Sequence, residues 1–189
     1  LLVWSSQTGF ARELAERSAE ALRAASLPVR VRGLHEVDTA LLAQSQRALF
    51  IASTTGEGDA PDHALPFLRR VMSTSPSLGH LQFGVLALGD RSYGHFCAFG
   101  HRLDDWLRQH GAHPMFDAID VDNADPAALR HWQQLLGQIG GGASELPDWS
   151  PAEYQPWPLL QREHLNPGSL GGPVYWLRLQ PPAGSDAQW

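Results

Sequence analysis

Short apolar runs alternate along this chain with stretches of helical period. Leu1-Leu2-Val3-Trp4 has the length of a buried strand, and Ala11, Leu14, Ala15, Ala19 and Leu22 then mark one face of a helix from about Gly9 to Ala25. Pro28–Arg32 alternates apolar and charged residues, as an edge strand does, and Leu34 to Gln46 reads as a short helical or irregular link. Ala48–Ala52 and Phe83–Leu88 are wholly apolar, the pattern of central strands buried on both faces. Between them lie a helix over Leu65–Met72 and a loop over Ser73–Gly79. Phe99, Leu103, Trp106 and Leu107 share one face of a helix from Phe96 to His110, and Met115–Val121 reads as a last strand. Asp125-Pro126 opens a final helix running to about Ile139, because Asp suits the cap and Pro the first helical position.

Strand and helix alternating in this way predict an α/β fold, a doubly wound parallel sheet of five strands covered on both faces. Ligands of such sheets bind beyond the carboxyl ends of the strands. Three polar, glycine-bearing loops stand at those positions. Ser6-Gln7-Thr8-Gly9-Phe10-Ala11 hands the first strand over to its helix. Unpaired N–H groups at a helix start carry partial positive charge, so a phosphate is the natural occupant, although a Ser or Thr cap on an ordinary helix reads the same way. That loop has no Lys or Arg, so it would hold phosphate by hydrogen bonds. The loop after the third strand is Ser53-Thr54-Thr55-Gly56-Glu57-Gly58-Asp59-Ala60-Pro61-Asp62, and the loop after the fourth lies within Leu88-Gly89-Asp90-Arg91-Ser92-Tyr93-Gly94-His95-Phe96-Cys97. Gly, Asp and Pro also build ordinary turns, but three such loops at one sheet edge point to a shared ligand.

Charge and cysteine content narrow the function. The chain has 189 residues and a net charge of −6, its 14 basic residues all being Arg. An acidic domain is unsuited to nucleic acid and suited to a basic protein partner. With one cysteine, Cys97, no internal disulfide can form, and a reducing, cytoplasmic compartment is expected. No apolar run is long enough to span a membrane. The chain opens without Met inside its first strand, the mark of an excised piece, so a membrane anchor upstream of Leu1 stays open.

The three loop segments together resemble the flavin-binding segments of the flavodoxin-like domain in diflavin reductases. That family includes NADPH–cytochrome reductases, nitric oxide synthase reductase domains and sulfite reductase flavoproteins. The Leu-Gly-Asp-x-Ser-Tyr-x-x-Phe-Cys wording at Leu88–Cys97 is most similar to the last of these. The resemblance covers residues 1 to about 140 and implies strand order 2-1-3-4-5 with bound FMN. Ser6–Ala11 would hold the FMN phosphate, and Leu88–Cys97 would flank the isoalloxazine, with Tyr93 stacked on one face. Ser53–Gly56 would follow the ring edge, Gly56 near N5, where a backbone carbonyl can accept a hydrogen bond from protonated N5 and favour one-electron transfer. Cytochrome reductases carry Tyr where this chain has Thr55, so the second flavin face is expected to be more open.

The resemblance extends past the first domain. It implies a flavodoxin-like domain over residues 1–140, a Gly/Pro-rich linker over 141–158 and the truncated start of an FAD-binding domain over 159–189, with strands at Leu159–Leu165 and Val174–Leu179. The implied activity is oxidoreductase. FMN would relay electrons from an FAD/NADPH module in the same full-length chain to a basic heme or iron–sulfur acceptor, FAD and NADPH sites belonging to that longer protein. No side chain is expected to act as acid, base or nucleophile, and no metal is expected. His110-Gly111-Ala112-His113 lacks further ligands at metal spacing, Cys97 reads as a small buried residue beside the flavin, and His95 as a loop residue near the ring. Asp104, Asp105 and the acids between Asp117 and Asp125 read equally as a solvated face or a docking face for a basic partner. A stand-alone quinone or flavin reductase of the same fold is the alternative. A signalling receiver fails, since it needs acids after the first strand and an acceptor Asp after the third, where Ser5–Gly9 and Ser53-Thr54 stand.

Overall fold

A computed structural model describes residues 1–142 and 157–181. Two compact units divide the chain, Leu1–Ser150 and Pro151–Trp189. In the first, β1 (Leu2–Ser5), β2 (Val31–Gly33), β3 (Arg47–Ser53) and β4 (Gln82–Gly89) form a parallel sheet. Its order is β2-β1-β3-β4, and the far edge is shared by β5 (His113–Pro114) and β6 (Ile119–Asp122), both paired with β4. This is the predicted 2-1-3-4-5 order with the fifth place filled by two pieces.

Burial on both faces explains why the central strands are apolar throughout. In β3, Ala48, Phe50 and Ala52 enter one core, while Leu49 and Ile51 enter the other. The first core is closed by Phe67 and Val71 and by Phe99, Leu103 and Leu107 of α4 (Ala98–Gln109). The second is closed by Leu14, Ala15 and Leu22 of α1 (Phe10–Ala24) and by Leu129, Trp132 and Leu136 of α5 (Pro126–Ile139). The two helices on this second face are tied by a buried chain: Trp132 Nε1 donates to Ser18 Oγ at 3.0 Å, and Ser18 donates to the Leu14 carbonyl at 2.7 Å. On the first face α4 lies close over β4, because a Cβ at Gly100 would stand 2.4 Å from that of Ala87.

Several boundaries differ from those read in the sequence. Met115–Val121 is not one strand. Residues 115–118 bow out opposite Gly84 and Val85, so four residues face two, and the ladder resumes at Ile119. Gly84 permits this: the Phe116 ring fills its missing side chain, with Cζ 2.3 Å from where a Cβ would be, and meets Trp132 edge-on at 5.8 Å. The edge strand is shorter and later than Pro28–Arg32. Helix α1 begins at Phe10 after Gly9 in the left-handed region (φ 98°), and α4 begins at Ala98 after Cys97 (φ 55°). Leu65–Met72 is helical, but only its first turn, α3 (Leu65–Phe67), is α and the rest widens into a π turn. Asp125 caps α5 as predicted, its carboxylate accepting from Ala128 N at 2.8 Å. The link after β2 contains α2 (Thr39–Gln44), capped by Asp38.

In the second unit an antiparallel hairpin joins β7 (Leu159–His164) to β8 (Tyr175–Leu179). Asn166 holds its turn, accepting from Val174 N at 2.6 Å and donating to the Gly172 carbonyl at 3.0 Å. The linker expected over 141–158 falls mostly outside the described residues.

Candidate functional site

A cavity of about 480 Å³ opens beyond the carboxyl ends of β1, β3, β4 and β6. All three predicted loops contribute to it. Gln7, Thr8 and Phe10 come from the first, Ser53, Thr54, Thr55 and Gly56 from the second, and Leu88, Gly89, Asp90, Tyr93, His95, Phe96 and Cys97 from the third. A larger groove of about 690 Å³ lies at the opposite strand ends, near Leu27, Arg30 and Arg47. The smaller cavity holds the loop donors, and it stands where open parallel sheets bind ligands.

The first loop is a cradle of free N–H groups. Ser6 Oγ accepts from Gly9 N at 2.9 Å and Ala11 N at 3.4 Å, so this hydroxyl caps the helix from beneath the loop. Ser6 and Ala11 are buried, and with Gly9 they shape the cradle without lining the cavity. The N–H groups of Gln7, Thr8 and Phe10 have no protein acceptor among the described residues. Gly9 has nothing within 4 Å of a would-be Cβ, leaving the backbone open to a close ligand. Ser6 therefore caps the helix without using the N–H groups above it, so the cap and a phosphate at this helix start are compatible.

Loops two and three are built against each other. Thr54 N donates to the Leu88 carbonyl at 2.8 Å, and Thr54 Oγ1 accepts from Phe99 N at 3.2 Å. Thr55 and Asp59 close a tight turn through reciprocal backbone bonds of 2.8 and 2.9 Å, with Gly56 at φ 48° and Gly58 at φ 109°. A Cβ on Gly58 would strike that of His95 at 2.8 Å, so the loops meet there. In the third loop, Asp90 Oδ1 accepts from Ser92 N at 2.8 Å and Ser92 Oγ at 2.6 Å. The Ser92 hydroxyl is the chief reason the Asp90 carboxyl sits below its ordinary range. Arg91 turns outward to Asp122 and over the Phe96 ring, and Arg91, Ser92 and Gly94 lie outside the cavity lining. Tyr93 faces the cavity with 48% of its surface exposed, an uncovered ring at the mouth.

Cys97 closes the floor. Its thiol donates to the Ala87 carbonyl at 3.2 Å, and burial pushes its pKa up to about 12. A thiol so held is protonated and inert as a nucleophile.

The sequence reading missed a fourth contributor. Val121 of β6, and Asn123 and Ala124 just after it, also line the cavity. Asn123 (φ 45°) and Ala124 (φ 63°) are left-handed, and Asn123 N donates to the Gly89 carbonyl at 3.0 Å. The available signal was the Asn, a residue that tolerates this conformation, in a polar loop at the same sheet edge.

A flavodoxin family model matches residues 2–132. The chain belongs to the flavodoxin family. A flavodoxin of Streptococcus pneumoniae TIGR4 has a similar structure, with a TM-score of 0.65 and 26% identity over 74% of this chain and 96% of that one. Oxidised flavodoxin 1 from Bacillus cereus shares the fold at a TM-score of 0.65 and 21% identity, over 76% and 97% of the two chains. The sulfite reductase (NADPH) flavoprotein alpha-component of Vibrio parahaemolyticus is 35% identical over 140 residues, 73% of this chain and 22% of that protein. Its counterpart in Sodalis glossinidius is 38% identical over 155 residues, 82% of this chain and 25% of the relative. The chain thus spans about a quarter of the length of these curated relatives. Membership makes FMN the cofactor and electron transfer the activity of this flavodoxin domain, as the sequence resemblance implies. The cavity fits that cofactor by its volume, its free N–H donors at a helix start and its uncovered aromatic ring.

Proposed function

We propose that this chain is the FMN domain of an NADPH-dependent diflavin reductase of the sulfite reductase flavoprotein type. Its FMN would pass electrons singly from an FAD/NADPH module in the same polypeptide to a basic heme or iron–sulfur acceptor. The observation that carries this reading is the set of relatives at 34–38% identity, all named as sulfite reductase flavoproteins, which the chain matches through its flavodoxin part. The proposed division is a flavodoxin domain over 1–140, a linker over 141–158 and the opening of the FAD-binding domain over 159–189. The β7–β8 hairpin supports it: Leu159, Trp176, Leu177 and Leu179 are all exposed, a sheet lacking its own core.

FMN supplies the redox chemistry when bound. The protein's part is to hold and shield it. The N–H groups of Gln7, Thr8 and Phe10 would bind the phosphate, with Ser6 and Gly9 fixing their geometry. Tyr93 would cover one ring face, and Thr54, Thr55 and Gly56 would border the ring edge, while Cys97 packs beneath. Asp90 lines the cavity, and Glu57, Asp59 and Asp62 follow Gly56 of its lining in the same loop, so their charge would steer a basic partner to it. No helix among the described residues is long and apolar enough to cross a membrane, and a cytoplasmic location is proposed.

Two preparations test this. The full-length protein should reduce its FMN with NADPH, and the 189-residue chain should not, although chemically reduced FMN on it should still pass electrons to a one-electron acceptor. NADPH oxidation by the 189-residue chain alone would overturn the proposal in favour of a stand-alone reductase.

A further inference from the structure

A histidine from a neighbouring loop contacts the backbone of the loop after β1. Ser6 N, the first N–H of the loop, donates to His63 Nε2 at 3.3 Å across 57 residues of sequence. Next to it, Asp62 N donates to Gln7 Oε1 at 3.4 Å. The loop after β3 therefore clasps the loop after β1 at two successive residues. His63 is itself wedged in place. The Trp4 ring lies against it at 5.4 Å and the His35 ring meets it edge-on at 5.8 Å. Arg12, in the first turn of α1, covers Trp4 from 5.8 Å.

We infer that His63 is a positioning residue for the flavin phosphate, acting in its neutral form as the acceptor that sets the backbone of the Ser6–Phe10 cradle. This rests on the reading of that cradle as the FMN phosphate site. An Nε2 that accepts from Ser6 carries no proton, so the ring's hydrogen sits on Nδ1. The surroundings favour that state. Partial burial and the neighbouring His35 both disfavour the charged ring and outweigh the opposing pull of Asp62, and together they hold the His63 pKa below 6.5. Protonation would place two donors face to face at Ser6 and release the loop. The Trp4 indole against the ring, the Gln7 amide bonded to Asp62 N and the Arg12 guanidinium over Trp4 carry no negative charge.

The sign for pH follows. If the bound state requires neutral His63, FMN affinity falls as pH drops through the imidazole pKa, below 6.5. The FMN phosphate titrates in the same range, with a second pKa of about 6, so only a comparison between proteins isolates the imidazole.

The experiment is fluorescence titration of the full chain with FMN and with riboflavin, which lacks the phosphate, from about pH 7.5 to about pH 5. Three proteins are compared: wild type, His63→Gln and His63→Leu. Gln can accept through Oε1 but does not titrate; Leu cannot accept. At the upper pH, His63→Gln should keep the wild-type preference for FMN over riboflavin, and His63→Leu should lose about three- to tenfold of it, the range of one hydrogen bond, with riboflavin affinity unchanged. On acidification the wild-type preference should fall relative to that of His63→Gln. A His63→Leu protein that keeps the full preference, or a wild-type preference that rises in acid relative to His63→Gln, overturns the inference; the latter would make His63 a cationic partner of the phosphate. If His63→Leu does not fold, the pH profiles of the other two proteins decide. Wild type that binds FMN no tighter than riboflavin would refute the phosphate cradle itself, and the inference with it.

Discussion

Tyr93 and Cys97 sit four residues apart in one loop and do opposite things. Tyr93 leaves half its ring uncovered at the cavity mouth, while Cys97 is wholly buried at the floor. An exposed aromatic is costly surface unless something stacks on it, and flavin is a flat aromatic. Tyr93→Ala should weaken FMN by about 1–3 kcal/mol, on the scale of base–aromatic stacking, whereas Tyr93→Phe keeps the ring and should bind nearly as well; flavin fluorescence titration measures both. For Cys97 the prediction concerns protons. Its pKa rises on folding from 9.0 to about 12, so the native state keeps a proton that the unfolded chain releases. The associated stability is complete below about pH 9 and declines as pH climbs toward about 12. Cys97→Ala should flatten that decline in denaturant melts, and wild-type Cys97 should resist alkylation at pH 8 until the protein unfolds.

At the scale of elements, the structure shows where hydrophobic pattern is and is not informative. β3 and β4 were plain in the sequence because burial on both faces leaves room only for apolar residues along nearly their whole length. The edge was not. His113–Asp122 mixes Pro114, Asp117 and Asp120 among apolar residues, and a strand interrupted in its middle has no period to read. Its bow depends on a partner two elements earlier in the sequence: Gly84 is small because Phe116 occupies the space beside it. Gly84→Val should displace that ring and destabilise the domain by about 1–3 kcal/mol, as overpacking of a filled core does, and urea melts would report it. The same distance problem hid part of the site. The loops after β1, β3 and β4 announced themselves by glycine and hydroxyl residues, but Asn123 and Ala124 stand in a short segment with no glycine. His63 lies just past the second loop and carries no sequence signal, since its role rests on a backbone contact with Ser6.

For the whole molecule, a flavodoxin domain and a hairpin are described within a chain whose matched residues span about a quarter of its curated relatives. The flavodoxin domain carries the chemistry in its loops, and the sheet's contribution is to bring those loops to one edge. That convergence, with one FMN spanning it, is the central claim. A crystal structure of the chain with bound FMN tests it most directly. The phosphate should lie against the N–H groups of Gln7, Thr8 and Phe10, with the isoalloxazine between the Thr54–Gly56 segment and the Tyr93 ring. FMN seated in the groove at the opposite strand ends, or with its phosphate away from the start of α1, would contradict the account.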